Sequence, residues 1–200
     1  MALYIRPLSI ADLEPCLAVE TAAFPPAEAA TREKIEYRLT VCPEICYGLF
    51  SSDEGNKTPS EFVDIPVVPQ GEGEARKGDL IAHVISTQSA SPVVTDDDMA
   101  YPPDWKADPS AEATVGHKKS GRTLALHSLA VSPVAQRRGA GKALMKAYLA
   151  EMKKSGTADR VSILTYDRLI PYYTKLGFTH RGKSASEYAG VAWHDLSYGF

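Results

Sequence analysis

A chain of 200 residues, 44% hydrophobic and 24% charged, has the length of one domain and enough apolar side chains to bury a core, which argues against disorder. A net charge of -3 offers no general pull on nucleic acid, and no apolar run reaches the roughly 18 residues of a membrane helix. Cys16, Cys42 and Cys46 are too few for a disulfide framework, and the last two lack the second ligand pair of a structural zinc site, so reduced thiols and no metal are expected. Arg6 sits in a short alternating stretch with no apolar h-region after it, so no signal peptide is read and the chain is assigned to the cytoplasm.

Leu3, Ile5 and Leu8 alternate with Tyr4 and Arg6 as a first strand. Asp12 opens an amphipathic helix to Phe24, which Pro25 and Pro26 end. Thr31 precedes a second helix, with Ile35 and Leu39 four apart, that stops near Pro43. Ile45 to Phe50 reads as a strand, and 51–79 as a glycine-, proline- and charge-rich excursion before a buried strand at Leu80 to Thr87. A second long loop covers 89–121 and holds the acidic run Asp96 to Asp98. The remainder runs as a strand (Leu124 to Ser132), a turn (Gln136 to Gly141), a helix (Lys142 to Lys153), a strand (Val161 to Tyr166), a short helix (Ile170 to Leu176) and a last strand (Ala192 to Tyr198). One domain over 1–200 with two loop insertions is expected.

The turn is where chemistry concentrates. In Gln136-Arg137-Arg138-Gly139-Ala140-Gly141 the glycines let the backbone fold closely, and the helix that follows begins with unpaired N–H groups, an arrangement suited to phosphate oxygens. Arg137, Arg138 and Lys142 are poorly placed at the positive end of a helix dipole unless an anion joins them. A solvated basic turn is the plainer alternative. Two other nucleotide fingerprints, G-x-G-x-x-G and G-x-x-x-x-G-K-[ST], do not occur.

A strand ending Leu129-Ala130-Val131, this loop, a helix, a strand and then Tyr172-Tyr173-Thr174-Lys175-Leu176-Gly177-Phe178 together resemble the GNAT superfamily of N-acetyltransferases. Leu39 to Glu44, His117 to Val131 and Leu169 to Phe178 further resemble its arylalkylamine (serotonin) N-acetyltransferase family. The resemblance implies an α/β fold: a mixed, mostly antiparallel central sheet with two splayed strands and helices on both faces. It implies acetyl-CoA as cosubstrate, with the backbone of Leu129, Ala130 and Val131 along the pantetheine arm and the loop from Gln136 through Arg137, Arg138, Gly139, Ala140 and Gly141 to Lys142 around the pyrophosphate.

Acetyl transfer needs a neutral amine, and an alkylamine with a lysine-like pKa is only about one part in a thousand neutral at pH 7. His127, just before the cofactor-binding stretch, is the expected general base, because imidazole is matched to neutral pH. The family's vertebrate members carry H-x-H here; Ala125 replaces the first histidine, leaving His127 alone, with water, or with Glu20 or His83 as partner. Glu20 is the weaker partner, since glutamates on helix faces are usually solvated, and His83 reads as structural. By position in the family, Tyr173 is the donor to the departing thiolate and Tyr172 faces away. The cysteines are left as core thiols.

Phe24, Val191 and Trp193 match the family's apolar wall around the substrate ring, so the expected partner is a small-molecule arylalkylamine, with no nucleic acid and no membrane. Polyamine acetylation competes, because Asp96, Asp97 and Asp98 could hold a second ammonium. A silent acetyl-CoA-binding protein and an acetylase of protein N-termini or lysines are further alternatives. With the fold beginning by Leu3 and ending near Phe200, a constitutively active monomer without regulatory tails is expected.

Overall fold

The structure, a computed structural model, describes residues 3–52, 62–69 and 78–200. Most of the excursion expected at 51–79 lies outside these residues. Within the chain two compact units are distinguished: Met1–Ile85 with Ser128–Tyr148, and Ser86–His127 with Leu149–Phe200.

In the first unit, β1 (Leu3–Pro7) pairs antiparallel with β2 (Tyr47–Ser51), which pairs antiparallel with the start of β3 (Asp79–Ser89). Alternation in Leu3 to Leu8 was the signal for β1, and the strand forms, although burial does not alternate along it: Ile5 and its neighbour Arg6 are both buried, and Leu8 lies past its end. The outer edge of β1 is covered: Ile5 N–H donates to Pro66 O at 2.9 Å and Val68 N–H donates to Ile5 O at 2.8 Å. An edge strand satisfied in this way is not a template for association. Two helices follow β1, α1 (Leu13–Ala23) and α2 (Arg32–Val41), and Ile35 and Leu39 of α2 share one apolar cluster with Leu13 and Cys16 of α1. Thr31 caps α2 by accepting from Lys34 N–H at 3.3 Å.

Two charges are buried at the root of this unit. The guanidinium of Arg6, 2% exposed, donates to both carboxylate oxygens of Asp12 at 2.9 and 2.8 Å and lies 4.0 Å from the centre of the Phe50 ring. Burial alone would push the Asp12 carboxyl up, but these bonds and the N–H of Ser9 hold it below the usual range. Asp12 therefore fixes where β1 hands over to α1.

In the second unit, the first half of β4 (Thr123–Val131) runs parallel to β5 (Arg160–Thr165); α4 (Ala140–Ser155) lies between them in the chain, the crossover that a parallel pair requires. Their register begins at Thr123↔Arg160 and ends at Leu126↔Ile163, so β4 continues from His127 to Val131 beyond it. This is the expected splay. On its other side β5 pairs antiparallel with β7 (His194–Gly199), and β7 with β6 (Thr179–Lys183). The sequence reading missed β6, whose residues are polar and mostly exposed: backbone pairing holds it, not a buried face. The loop 89–121 contains a short helix, α3 (Asp96–Met99), and the tyrosine segment forms α5 (Ile170–Thr174). The strand order among the described residues is β1-β2-β3-β4-β5-β7-β6, an α/β fold with a mostly antiparallel sheet.

Candidate active site

The loop after β4 has the conformation its glycines promised. Arg137 adopts φ 61° and Gly139 φ 97°, two left-handed residues in three positions, after which α4 begins at Ala140. Such alternation turns successive N–H groups toward one concavity. A Cβ on Gly139 would meet no atom within 4 Å, so glycine is needed there for its backbone angle and open face, not for internal packing. Arg138, Gly139, Lys142 and Lys146 line a cleft of about 590 Å³ with Ile5 and Phe62. Gln136 does not reach into that cleft: its side chain donates to Val131 O at 3.0 Å, tying the loop to the end of β4. Leu129 and Val131 are half-buried and Ala130 is fully buried.

His127 and Tyr173 both belong to the second unit. His127 is the first residue of β4 past its register with β5. Its Nε2 lies 2.8 Å from Thr87 Oγ1, and its Nδ1 lies 3.1 Å from the sulfur of Met99. Met99 packs with Val94 and Ala125, and Leu164 and Tyr188 border the same cluster. Ala125, where the family pattern carries the first of its two histidines, is buried in this apolar cluster. Tyr173 is 8% exposed, with its ring edge-on to Tyr172 and Phe178. Burial pushes its phenol well above the usual range, and Tyr172 up to about 12, so both stay protonated at neutral pH.

Glu20, expected to be solvated, is 2% exposed. Its Oε2 accepts from the Ser128 hydroxyl at 2.5 Å and lies 2.9 Å from His83 Nε2, while its Oε1 accepts from Ala30 N–H at 2.9 Å. His83 Nε2 is also 3.1 Å from Ser128 Oγ. One carboxylate therefore ties α1, β3, β4 and the loop before α2. Ser128 escaped the sequence reading altogether. The legible signal was that Glu20 continues the apolar stripe of Leu13 and Cys16 at helical spacing, where a carboxylate must find donors. His127 and Ser128 are successive strand residues, so their side chains leave β4 on opposite faces.

The residues assigned to a substrate wall fall into different settings. Phe24 is half-buried just past α1, and Val191 is half-buried before β7. Trp193, expected inside the last strand, precedes it; its indole N–H donates to Tyr188 O at 2.8 Å and its ring lies 5.0 Å from that of Tyr166.

The second half of the chain, residues 82–199, matches the model of the Acetyltransferase (GNAT) domain. The chain belongs to the GNAT family. Among curated proteins, this GNAT chain is 23% identical over 164 residues to serotonin N-acetyltransferase of Mesocricetus auratus and 22% identical over 165 residues to that of Macaca mulatta. Each alignment covers 82% of the chain but only 60% and 61% of the relative, respectively. Among solved structures, the loading GNATL domain of CurA from Lyngbya majuscula superposes with a TM-score of 0.68 at 15% identity, covering 100% of this chain and 98% of that one. The PaiA N-acetyltransferase of Thermoplasma acidophilum, in complex with coenzyme A, gives 0.60 at 14% identity, covering 100% of both chains. At such identities these two show the fold alone. No helix among the described residues is long and apolar enough to cross a membrane.

The Glu20 cluster is a feature of this GNAT chain that pH can read. Burial would raise the Glu20 carboxyl, but the bonds from His83, Ser128 and Ala30 outweigh it and leave the group below its ordinary range. The stability it contributes is present above the unfolded value of about 4.3 and is lost as pH falls through the lower folded value. Glu20→Gln should therefore cost about 2 kcal/mol or more at pH 7, with the gap from the parent narrowing below about pH 4. Thermal midpoints measured at both pH values check this; an equal gap at each would show that the carboxylate charge is not what holds the cluster.

Proposed function

We propose that this chain is an acetyl-CoA-dependent N-acetyltransferase that acts on a small primary amine of the arylalkylamine type, by direct transfer with both substrates bound. The observation that carries the reading is the end of β4, which outruns its pairing with β5 at Leu126, presents His127 next, and closes in a left-handed, basic loop at the start of a 16-residue helix. The curated relatives are serotonin N-acetyltransferases, which supports the acceptor class. The cleft at Arg138, Gly139 and Lys142 has the charge and room for a pyrophosphate, so the cosubstrate fits the residues present.

Acetyl-CoA supplies the activated acetyl group and a thiol leaving group. The amides of residues 137–142 would hold its diphosphate, and the backbone of Leu129 to Val131 would line its pantetheine arm. His127 takes the proton from the acceptor ammonium, with Thr87 orienting the ring through the Nε2 contact. The freed amine nitrogen bonds the acetyl carbon, the carbon–sulfur bond breaks, and the second proton that the nitrogen loses on becoming an amide passes through solvent to the departing thiolate. Tyr173 stabilises the departing thiolate by donating a hydrogen bond. Full proton transfer from it is uphill, because a thiol near pKa 8.5 is a stronger acid than a buried phenol. The apolar cluster of Met99, Val94 and Leu164 beside His127 suits an acceptor with an apolar body, and Phe24 and Val191 are left as further wall.

A second reading, an acceptor carrying two ammonium groups, is favoured by one observation: a buried carboxylate, Asp195, lines a cleft bordered by Val94 of the same apolar cluster.

Coenzyme A should raise the thermal midpoint of the chain in proportion to the logarithm of its concentration, and Gly139→Val should abolish that rise. A Cβ at Gly139 has nothing to strike in the free protein, so the loss would report the ligand's approach and the strained φ. Retained protection would sink the loop assignment.

His127→Ala should depress turnover most near neutral pH and recover partly at high pH, where more amine is neutral unaided. A pH–rate profile parallel to the parent's would place the base elsewhere.

Tyr173→Phe keeps the ring packing and removes only the hydroxyl; turnover should fall about 10²-fold with little change in cofactor affinity, while Tyr172→Phe should be nearly silent. Equal losses in steady-state kinetics would undo the assignment to Tyr173.

A further inference from the structure

The cleft beside the anion loop is larger than a diphosphate requires. At about 590 Å³ it has the room of a small-molecule site, and a diphosphate at Gly139 would leave most of that room over. The residues that line it all belong to the first unit.

One wall is a face of α4. Lys142, Ala143, Lys146 and Ala147 repeat there at helical spacing, so two cations one turn apart stand beside two side chains small enough to keep the face open. Like charges at that spacing oppose each other on a bare helix, and neither lysine forms an ion pair with a carboxylate among the described residues. Lys146 stands in the second turn, about 9 Å along the axis from Ala140, beyond the reach of the loop amides.

The other wall comes from the excursion between β2 and β3, outside the residues 82–199 that match the family model. Residues 62–69 run along the outer edge of β1, fixed there by the bonds from Ile5 N–H to Pro66 O and from Val68 N–H to Ile5 O. Asp64, at φ 49°, turns the chain between Phe62 and Ile65. Phe62 is 7% exposed, and with Ile5 and Ile65 it gives this side of the cleft an apolar surface, beside which the Asp64 carboxylate offers an acceptor.

A cationic wall facing an apolar one with a single acceptor has the chemistry of a phosphorylated purine nucleoside. The base needs an apolar, preferably aromatic, surface, its exocyclic amine or a ribose hydroxyl needs an acceptor, and a phosphate needs the lysines. In coenzyme A the diphosphate joins the 5′ carbon of a ribose that bears a further phosphate on its 3′ carbon. Six covalent bonds link the two phosphorus atoms across that ribose, a span of at most about 7 Å. Lys142 and Lys146 are about 6 Å apart along α4. A diphosphate held by the loop and Lys142 therefore brings the 3′-phosphate within reach of Lys146.

Resting on the coenzyme A-dependent reading above, we propose that this cleft seats the 3′-phosphorylated adenosine of the cosubstrate, with Lys146 paired to the 3′-phosphate and the purine against the wall of residues 62–65. The chain thereby distinguishes coenzyme A from its 3′-dephosphorylated form, and the excursion between β2 and β3 takes part in cosubstrate binding.

Isothermal titration of the full chain with coenzyme A and with dephospho-coenzyme A tests this. The parent should bind coenzyme A about tenfold more tightly, the worth of one charge-assisted contact, and Lys146→Met should remove that margin while leaving the affinity for dephospho-coenzyme A unchanged. Lys153→Met, on the same helix but outside the cleft, should keep it. Ile65→Glu, which puts a charge into the apolar wall, should weaken both ligands several-fold. A margin absent from the parent, retained by Lys146→Met or lost equally in Lys153→Met overturns the 3′-phosphate contact, and unchanged affinities in Ile65→Glu overturn the place of the purine. If neither form of coenzyme A binds, the reading above fails by itself, and adenosine 3′,5′-bisphosphate against adenosine 5′-monophosphate decides the cleft. Tighter binding of the bisphosphate, lost in Lys146→Met, upholds it; equal binding, or none, overturns it. Inorganic phosphate that displaces the bisphosphate at equal concentration would mark a general anion site and overturn the nucleoside.

Discussion

Strand β4 is longer than the partner that runs beside it. Its register with β5 holds for Thr123 to Leu126 and then ends, although β4 continues to Val131. Backbone N–H and C=O groups are obligatory hydrogen-bonding groups, so a strand that outlives its neighbour must find other partners or offer its peptide edge to a ligand. In this chain Gln136 takes the Val131 carbonyl, and just past the strand Ser132 N–H donates to Ile81 O of β3 at 2.9 Å. The residues proposed for catalysis and cosubstrate binding lie along that parting in chain order: His127, then Leu129 to Val131, then the loop from Gln136 to Lys142.

Charge is buried at two places that hold this arrangement steady. Arg6 and Asp12 form a bidentate pair with both members nearly inaccessible, which locks the handover from β1 to α1. Glu20 does more, because a single carboxylate takes donors from three other elements. Buried ion pairs add little net stability over apolar replacements, but breaking one leaves a costly orphan, so such groups enforce one arrangement over its neighbours. The same logic gives Asp195 its interest: it is buried like Glu20, but one of its oxygens lacks the partner that Glu20 has in abundance.

The two histidines of the strands illustrate how face, not sequence proximity, sorts chemistry. His83 is locked to Glu20 and Ser128 and is wholly buried, whereas His127, beside Ser128 in the chain, leaves β4 on the other face and meets Thr87 and Met99. Glu20 and His83 therefore form one hydrogen-bonded assembly around Ser128.

Much of this was legible in the chain itself, because period-two and helical spacings, Thr31 as a cap and the Arg137 to Gly141 loop are local signals that local physics produces. The loop's left-handed angles follow from needing a tight turn into α4, and glycine marks one of them. Three features escaped such reading. β6 has no apolar face to announce it, since its pairing with β7 is made by the backbone. Glu20 was taken for a solvated residue because its donors come from Ala30, His83 and Ser128, distant in sequence from one another. Asp195 was invisible beside the conspicuous run Asp96 to Asp98, one member of which the capping box consumes. Sequence determines which groups can ionise, turn or pack; the burial that makes a carboxylate either satisfied or orphaned depends on long-range neighbours, and only the folded chain brings those together.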